Sequence, residues 1–264
     1  MPDLALPERM PLRAHGQTRK RWRYVGVFDS DLMLCAARVQ VGPFRQSFWA
    51  AWDRDGRERF AHTSLRPGSR EVAMSGPRIQ IAARALQADL TLGNSTPVEA
   101  ICPSGSGWGW TRKRAGMQAT GTVEAGGRRW TVDGRGVDDE SAGYHQRHTS
   151  WLWSAGVGRL QDGRAVAWNL VEGINDPPQG SERAIWVDGE PFEPPPVSFQ
   201  GTDAIEFAQG PPLRFAGECE RARSDNLLVF RSRYRLRFGT FTGSLAGLAL
   251  SDGVGVMEMH DAVW

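Results

Sequence analysis

Residues 138–158, DDESAGYHQRHTSWLWSAGVG, gather two of the chain's five histidines, one of its three tyrosines and two of its eleven tryptophans. Carboxylate, imidazole and indole at strand spacing are the parts of an acid–base site walled by aromatic rings. A carboxyl group packed against indole has its charged form desolvated, which raises its pKa toward values useful for donating a proton. Folding Asp162-Gly163 as a two-residue turn sets Gln161 opposite Arg164, Trp153 opposite Glu172 and Trp151 opposite Ile174, so that Glu172 lies beside an indole. The other face of this hairpin carries Ser154, Gly156, Ala167 and Asn169, small enough for close approach by a second layer or a ligand. Tyr144, His145, His148, Glu172, Asn175 and Asp176 then meet at the end away from the turn. Taken singly each has a plainer reading, as core tryptophan, solvated strand-end glutamate or hydrogen-bonded structural histidine. It is their density that points to chemistry.

A second group ends the chain. In VGVMEMHDAVW (254–264), Val256, Glu258, His260, Ala262 and Trp264 share one strand face, with the α-carbons of Glu258 and His260 about 6.5–7 Å apart. That spacing suits an acid and a base addressing one ligand. The plain alternative is an exposed edge strand, but Met257, Met259 and Trp264 are costly to expose, which argues for protein on both faces. The candidate catalytic residues are therefore His148, Glu172, Glu258 and His260. Further aromatic platforms come from Trp108 and Trp110, on one face with Arg112, and from Trp49 and Trp52, on opposite faces and so in different layers. The candidate ligand-binding set is Trp52, Trp110, Tyr144, Trp151, Trp153, Asn169 and Trp264. No metal is assigned: His145 and His148 are two residues apart, but no spacing selects a third ligand.

The elements that must position these groups are strands. Five Asp-Gly dipeptides, at 55–56, 133–134, 162–163, 188–189 and 252–253, are hairpin signals, because both central positions of a type I′ turn need φ > 0. The 31 glycines and 16 prolines fit a chain full of turns. The segment RIQIAARALQADLTL (78–92) could line a helix face through Ile79, Ala83, Leu86 and Leu90. It also alternates, and is read as two strands. The chain is all-β, built as barrels or sandwiches that leave few edges. A polar stretch at 134–143 divides it into an N-terminal unit, 1–138, and a C-terminal unit, 139–264.

With 32 basic and 30 acidic residues, charge offers no reason to expect nucleic acid, and the arginine clusters QTRKRWRY and TRKRAG read as solvated edge charge. Three widely spaced cysteines read as free thiols in a reducing compartment. No apolar leader and no 18-residue apolar run are present, so a cytoplasmic chain without a transmembrane segment is expected. Nucleophile-elbow, Walker, dinucleotide-binding and zinc-protease motifs are absent from the sequence.

The pieces KRWRYVGVFD (20–29), ICPSGSGWGWTRKRAG (101–116), DESAGYHQRHTSWLWSAGVG (139–158), NLVEGINDP (169–177), AIWVDGE (184–190) and GVMEMHDAVW (255–264) resemble a bacterial family of domains of unknown function, number twenty-eight hundred and four in that series. That family is similar, more remotely, to the calycin-like group of hydroxyneurosporene synthase and tocopherol cyclase. The resemblance implies two lipocalin-like antiparallel units packed together, with ligand sites in or between them, and alkene chemistry by protonation without a redox cofactor. It carries no catalytic residue over. The expected partner is a hydrophobic small molecule, held in a β-walled pocket that could also hydrate, cyclise or isomerise it. The alternatives are a non-catalytic carrier and a carbohydrate-binding or glycan-acting protein. Oligomeric state is left open.

Overall fold

The computed structural model describes residues 10–66, 68–227 and 230–264, which form strands, turns and loops with no helix among them. A short hairpin, β1 (Arg13–Ala14) and β2 (Gln17–Thr18), leads into β3 (Lys20–Phe28), β4 (Leu32–Val41), β5 (Phe44–Asp53) and β6 (Glu58–Ser64). Then come β7 (Val72–Ser75), β8 (Arg78–Ala82), β9 (Leu86–Leu92), β10 (Val98–Ser104), β11 (Gly107–Ala125) and β12 (Arg128–Gly143). The second set is β13 (His148–Leu160), β14 (Ala165–Glu172), β15 (Ala184–Val187), β16 (Glu190–Phe192), β17 (Ser198–Gln200), β18 (Ala204–Glu206), β19 (Leu213–Leu227), β20 (Phe230–Leu245) and β21 (Leu248–Val263). Segment 78–92 is two strands, as its alternation predicts. The passage between sheets lies at 144–147, a few residues beyond the seam expected at 138–139.

Both sheets follow one plan. The first runs β6-β5-β4-β3-β12-β11-β9-β8-β7, with β10 on β11, and the second β16-β15-β14-β13-β21-β20-β19-β18-β17. In each, a meander grows outward from the first long strand, and that strand also pairs antiparallel with the last one, β3 with β12 and β13 with β21. These are two lipocalin-like units. A sequence echo accompanies them: DGRGVDD (133–139) runs along β12 and DGVGVME (252–258) along β21.

Successive side chains of a strand point to opposite faces, and strands such as β4, β5 and β14 bury residues on both. The first sheet curls around its own core, where Trp49 and Ala51 of β5 meet Val72 of β7 and Ile79 and Ile81 of β8. The second encloses Trp168, Leu170, Ile185, Phe241 and Met257. The outer faces of the two units pack back to back in a third core, with Tyr24, Phe28, Phe48, Ala50 and Trp52 against Trp153, Val157, Trp186, Phe238 and Val256. Trp49 and Trp52 accordingly lie in different layers.

Two expectations need correction. Of the Asp-Gly dipeptides, 133–134 and 252–253 are not turns but lie inside β12 and β21. Each dipeptide is held in a ladder on one side, 133–134 against Thr120 and Ala119 of β11 and 252–253 against Arg159 and Gly158 of β13, so its backbone continues the strand. The turn at Asp162-Gly163 is also longer than the two-residue loop expected. Leu160 N–H bonds Arg164 C=O and Arg159 faces Ala165, so residues 161–163 form a three-residue loop with Gly163 at φ +88°. One added loop residue slips the register by one and exchanges the faces. Trp153 therefore faces Val171, Leu152 faces Glu172, and Trp153 and Glu172 lie on opposite sides of the sheet.

Candidate functional site

At one end of the back-to-back core the two sheets separate and leave a cavity of about 100 Å³. Alternate residues of five neighbouring strands build its aromatic walls: Trp22 and Tyr24 on β3, Phe48 on β5, Trp151 and Trp153 on β13, Tyr234 on β20, and Glu258 and His260 on β21. Trp22 stacks on Trp151 at 6.4 Å with 7° between planes, and Tyr24 meets Trp153 edge-on at 5.2 Å. Each of these contacts joins one sheet to the other, which no single strand pattern specifies.

Glu258 is the chemical centre of this space. It is 8% exposed, and its Oε1 accepts the Trp151 indole N–H at 2.9 Å. Burial pushes its carboxyl up to about 7, with Asp139 adding to the rise while Trp151, Tyr234 and Arg221 oppose it. Two phenols share the cavity, and the buried hydroxyls of Tyr24 and Tyr234 complete no well-aligned hydrogen bond. His260 packs against Trp151 at 4.4 Å and Tyr234 at 5.2 Å, with Nε2 2.8 Å from Ser232 Oγ. Burial lowers its pKa to about 4, leaving a neutral imidazole at neutral pH.

A second polar group lies deeper, reached through β11, β12 and the loop after β14. Lys113 Nζ is 2.5 Å from Asp139 Oδ1 and 3.3 Å from Glu182 Oε1, and all three residues line the cavity. One ammonium serves two buried carboxyls, so burial raises both carboxyl pKa values, while Lys113 opposes the rise. Asn175 donates to Glu182 Oε2 at 2.8 Å. Behind it His145 is fully buried with both ring nitrogens unpaired, and burial holds its pKa down at about 3.

Of the residues singled out from the sequence, Glu258, His260, Trp151, Trp153 and Trp264 line the cavity. Asn169 stands behind the wall, accepting the Trp153 N–H at 2.8 Å and donating to the Glu182 carbonyl at 2.9 Å. The others lie elsewhere. The His148 side chain is 61% exposed and pairs with Asp261, while Glu172 accepts the Phe199 N–H on the opposite face of its sheet. Trp52 donates to Glu218, Trp110 lies under Arg112, and the Tyr144 hydroxyl donates to the Pro11 carbonyl. Tyr24, Lys113, Glu182, Arg221 and Tyr234 did not stand out in the sequence. Asp139 could have been found by aligning DGRGVDD with DGVGVME, which sets it against Glu258. Among the described residues no group of three or more His, Cys, Asp or Glu side chains is placed to hold a metal ion, and no helix is long and apolar enough to cross a membrane.

Residues 54–264 match a family described as a domain of unknown function (DUF2804). Among solved structures, an AttH protein from Nitrosomonas europaea is similar with a TM-score of 0.58 and 14% identity, covering 98% of this chain and 97% of that one. Kievitone hydratase from Nectria haematococca has a TM-score of 0.58 and 8% identity, with 96% and 90% covered. CghA with Sch210972 has a TM-score of 0.52 and 12% identity, with 93% and 88% covered. At these identities the likeness is one of fold. No curated protein matches the chain in sequence.

Proposed function

The chain belongs to the DUF2804 family, and we propose that it holds a lipophilic small molecule between its two β units and moves protons on it, as in hydration, cyclisation or isomerisation of an alkene. The observation that carries this reading is Glu258, a carboxyl that keeps its proton near neutrality inside an aromatic cavity. A general acid works best with a pKa near the working pH. In the proposed step the Glu258 O–H bond breaks as its proton forms a bond to one alkene carbon. The cation left on the other carbon faces the π systems of Trp151, Trp153 and Tyr24. Water then adds to it, or a neighbouring C–H gives up its proton, and neutral His260 or the Lys113-held Asp139 takes that proton away. The likeness in fold to a protein named a hydratase supports the same class of reaction. A glycan site gains no such support, since Trp52, Trp110 and Trp153 are buried rather than laid out on an open groove.

The test begins with a small-molecule extract of the cells that make the protein, incubated with wild type or Glu258→Gln in D2O and in H2(18)O. Mass spectrometry should find a feature that gains deuterium, or deuterium and 18O, with wild type only. Identical labelling by the two proteins would remove Glu258 from the chemistry, and no labelled feature at all would leave the carrier reading.

A further inference from the structure

We infer that the molecule held in this cavity carries an anionic oxygen group that pairs with Arg221, so that the ligand is an amphiphilic anion and not a plain hydrocarbon. The inference rests on the pocket reading above and adds the chemistry of one end of the ligand. Arg221 is 6% exposed and lines the cavity. Its guanidinium lies 4.2 Å from the Phe48 ring and 5.0 Å from the Tyr234 ring, and Nη2 donates to Thr63 Oγ1 at 2.7 Å. Among the described residues no carboxylate lies within ion-pair distance of it. Two other arginines, the buried Arg183 and the partly exposed Arg223, are treated differently. Arg183 donates to the carbonyls of Asp176 and Pro177 and lies 3.6 Å from Glu193, while Arg223, two residues along β19, makes a two-pronged pair with Asp225.

A buried charge without a counter-charge is costly, and the usual remedy is a paired anion. Two rings and one hydroxyl hold the guanidinium in place without neutralising it. The acid in the same cross-strand row is Glu258, whose role as a proton donor requires it to be uncharged. An anion brought in by the ligand meets the need, and a planar guanidinium matches a two-oxygen anion well.

Register gives the distance between the two ends. Arg221, Leu236 and Glu258 form one cross-strand row over β19, β20 and β21, on one face of the sheet. The two backbones are therefore about 10 Å apart, two strand spacings. A ligand anchored at Arg221 would present to Glu258 a carbon several bonds from its anionic group.

A matched pair of fluorescent probes tests this: 8-anilinonaphthalene-1-sulfonate, an apolar body with an anionic group, and N-phenyl-1-naphthylamine, its uncharged parent. Each is titrated into wild type, Arg221→Met, Arg221→Lys and, as a control for surface charge, Arg38→Met/Arg45→Met, which changes exposed arginines of β4 and β5. Thermal melts check that each variant is folded. The expected result is sulfonate binding at least about tenfold tighter than parent binding in wild type and in the surface control. That preference should be lost in Arg221→Met and partly kept in Arg221→Lys. Equal binding of the two probes to wild type, or a preference unchanged in Arg221→Met, overturns the inference while leaving the apolar pocket standing. Failure of both probes to bind wild type overturns the pocket reading and this one with it. If Arg221→Met does not fold, Arg221→Lys decides: an undiminished preference there counts against the pairing.

Discussion

Asp139 and Glu258 occupy equivalent positions in the two β units. Asp139 on the closing strand β12 pairs with Tyr24 on β3, and Glu258 on the closing strand β21 pairs with Trp153 on β13. Two residues earlier on β3 and β13 stand Trp22 and Trp151, stacked across the cavity. The back-to-back packing thus brings two related carboxyls to one space. Their environments differ, since Asp139 has an ammonium at 2.5 Å and Glu258 has an indole N–H. Two acids with different partners are the arrangement in which one gives a proton and the other receives one.

Glu258 should be visible through its indole partner. The Trp151 N–H donates to Glu258 Oε1, so its 1H and 15N shifts will titrate with a midpoint near the carboxyl's value of about 7. In Glu258→Gln the same resonance should be flat over pH 5–9. A wild-type midpoint near 4.5, the ordinary glutamate value, would remove the perturbed acid from the site.

Stability should carry the opposite mark of the same group. Between 4.5 and about 7 the folded chain keeps a proton on Glu258 that the unfolded chain has lost, so this residue's contribution falls as pH rises through that window. Because His260 changes in the other sense, the quantity to measure is the difference between Glu258→Gln and wild type. That difference should grow in favour of Gln above pH 4.5 and level off above about 7, near 3 kcal/mol at most. Chemical denaturation at pH 4.5, 6 and 8 measures it, and a constant difference would contradict the assignment.

Lys113→Met should be among the most damaging substitutions at neutral pH. It leaves Asp139 and Glu182 buried without their shared cation, a loss of about 3–5 kcal/mol. The deficit should shrink as pH falls and the carboxyls take up protons. Adding Asp139→Asn to Lys113→Met should recover part of the loss at pH 7. Urea titrations at pH 7 and pH 5 compare the two variants.

Gly156→Ala tests the corrected register. Gly156 faces Trp168 across the ladder, and an added Cβ would collide with that indole and come 2.7 Å from the Val254 carbonyl oxygen. Overpacking at such a site costs about 1–3 kcal/mol or prevents folding. Thermal melts should find a clear drop in stability. A neutral substitution would mean that Trp168 is not beside Gly156.

Much of this protein was legible one strand at a time. Alternation over 78–92 and 254–264 specified strands, because successive side chains of a strand must point to opposite faces whatever surrounds them. The same local rule put Glu258, His260 and Trp264 on one face, and Met257, Met259 and Trp264 argued against an exposed edge, although Met259 is in fact 41% exposed. The dipeptide rule worked less evenly. Asp188-Gly189 is a two-residue turn with both φ values positive, whereas Asp133-Gly134 and Asp252-Gly253 have the same composition within strand ladders.

Only the tertiary structure decided the rest. One extra residue in the loop at 161–163 slipped β14 by a position, which sent Glu172 to the far face and brought Asn169 beneath Trp153. His148, four residues before Leu152, falls at the exposed end of β13, while His145 is buried. Above all, the meeting of Trp22 with Trp151, of Tyr24 with Trp153, and of Arg221 with Phe48 depends on how the two units stack. By itself the sequence determined which residues share a face, because that follows from backbone geometry within a strand. Which faces meet depends on loop length and on the packing of one unit against the other, and those are properties of the whole fold.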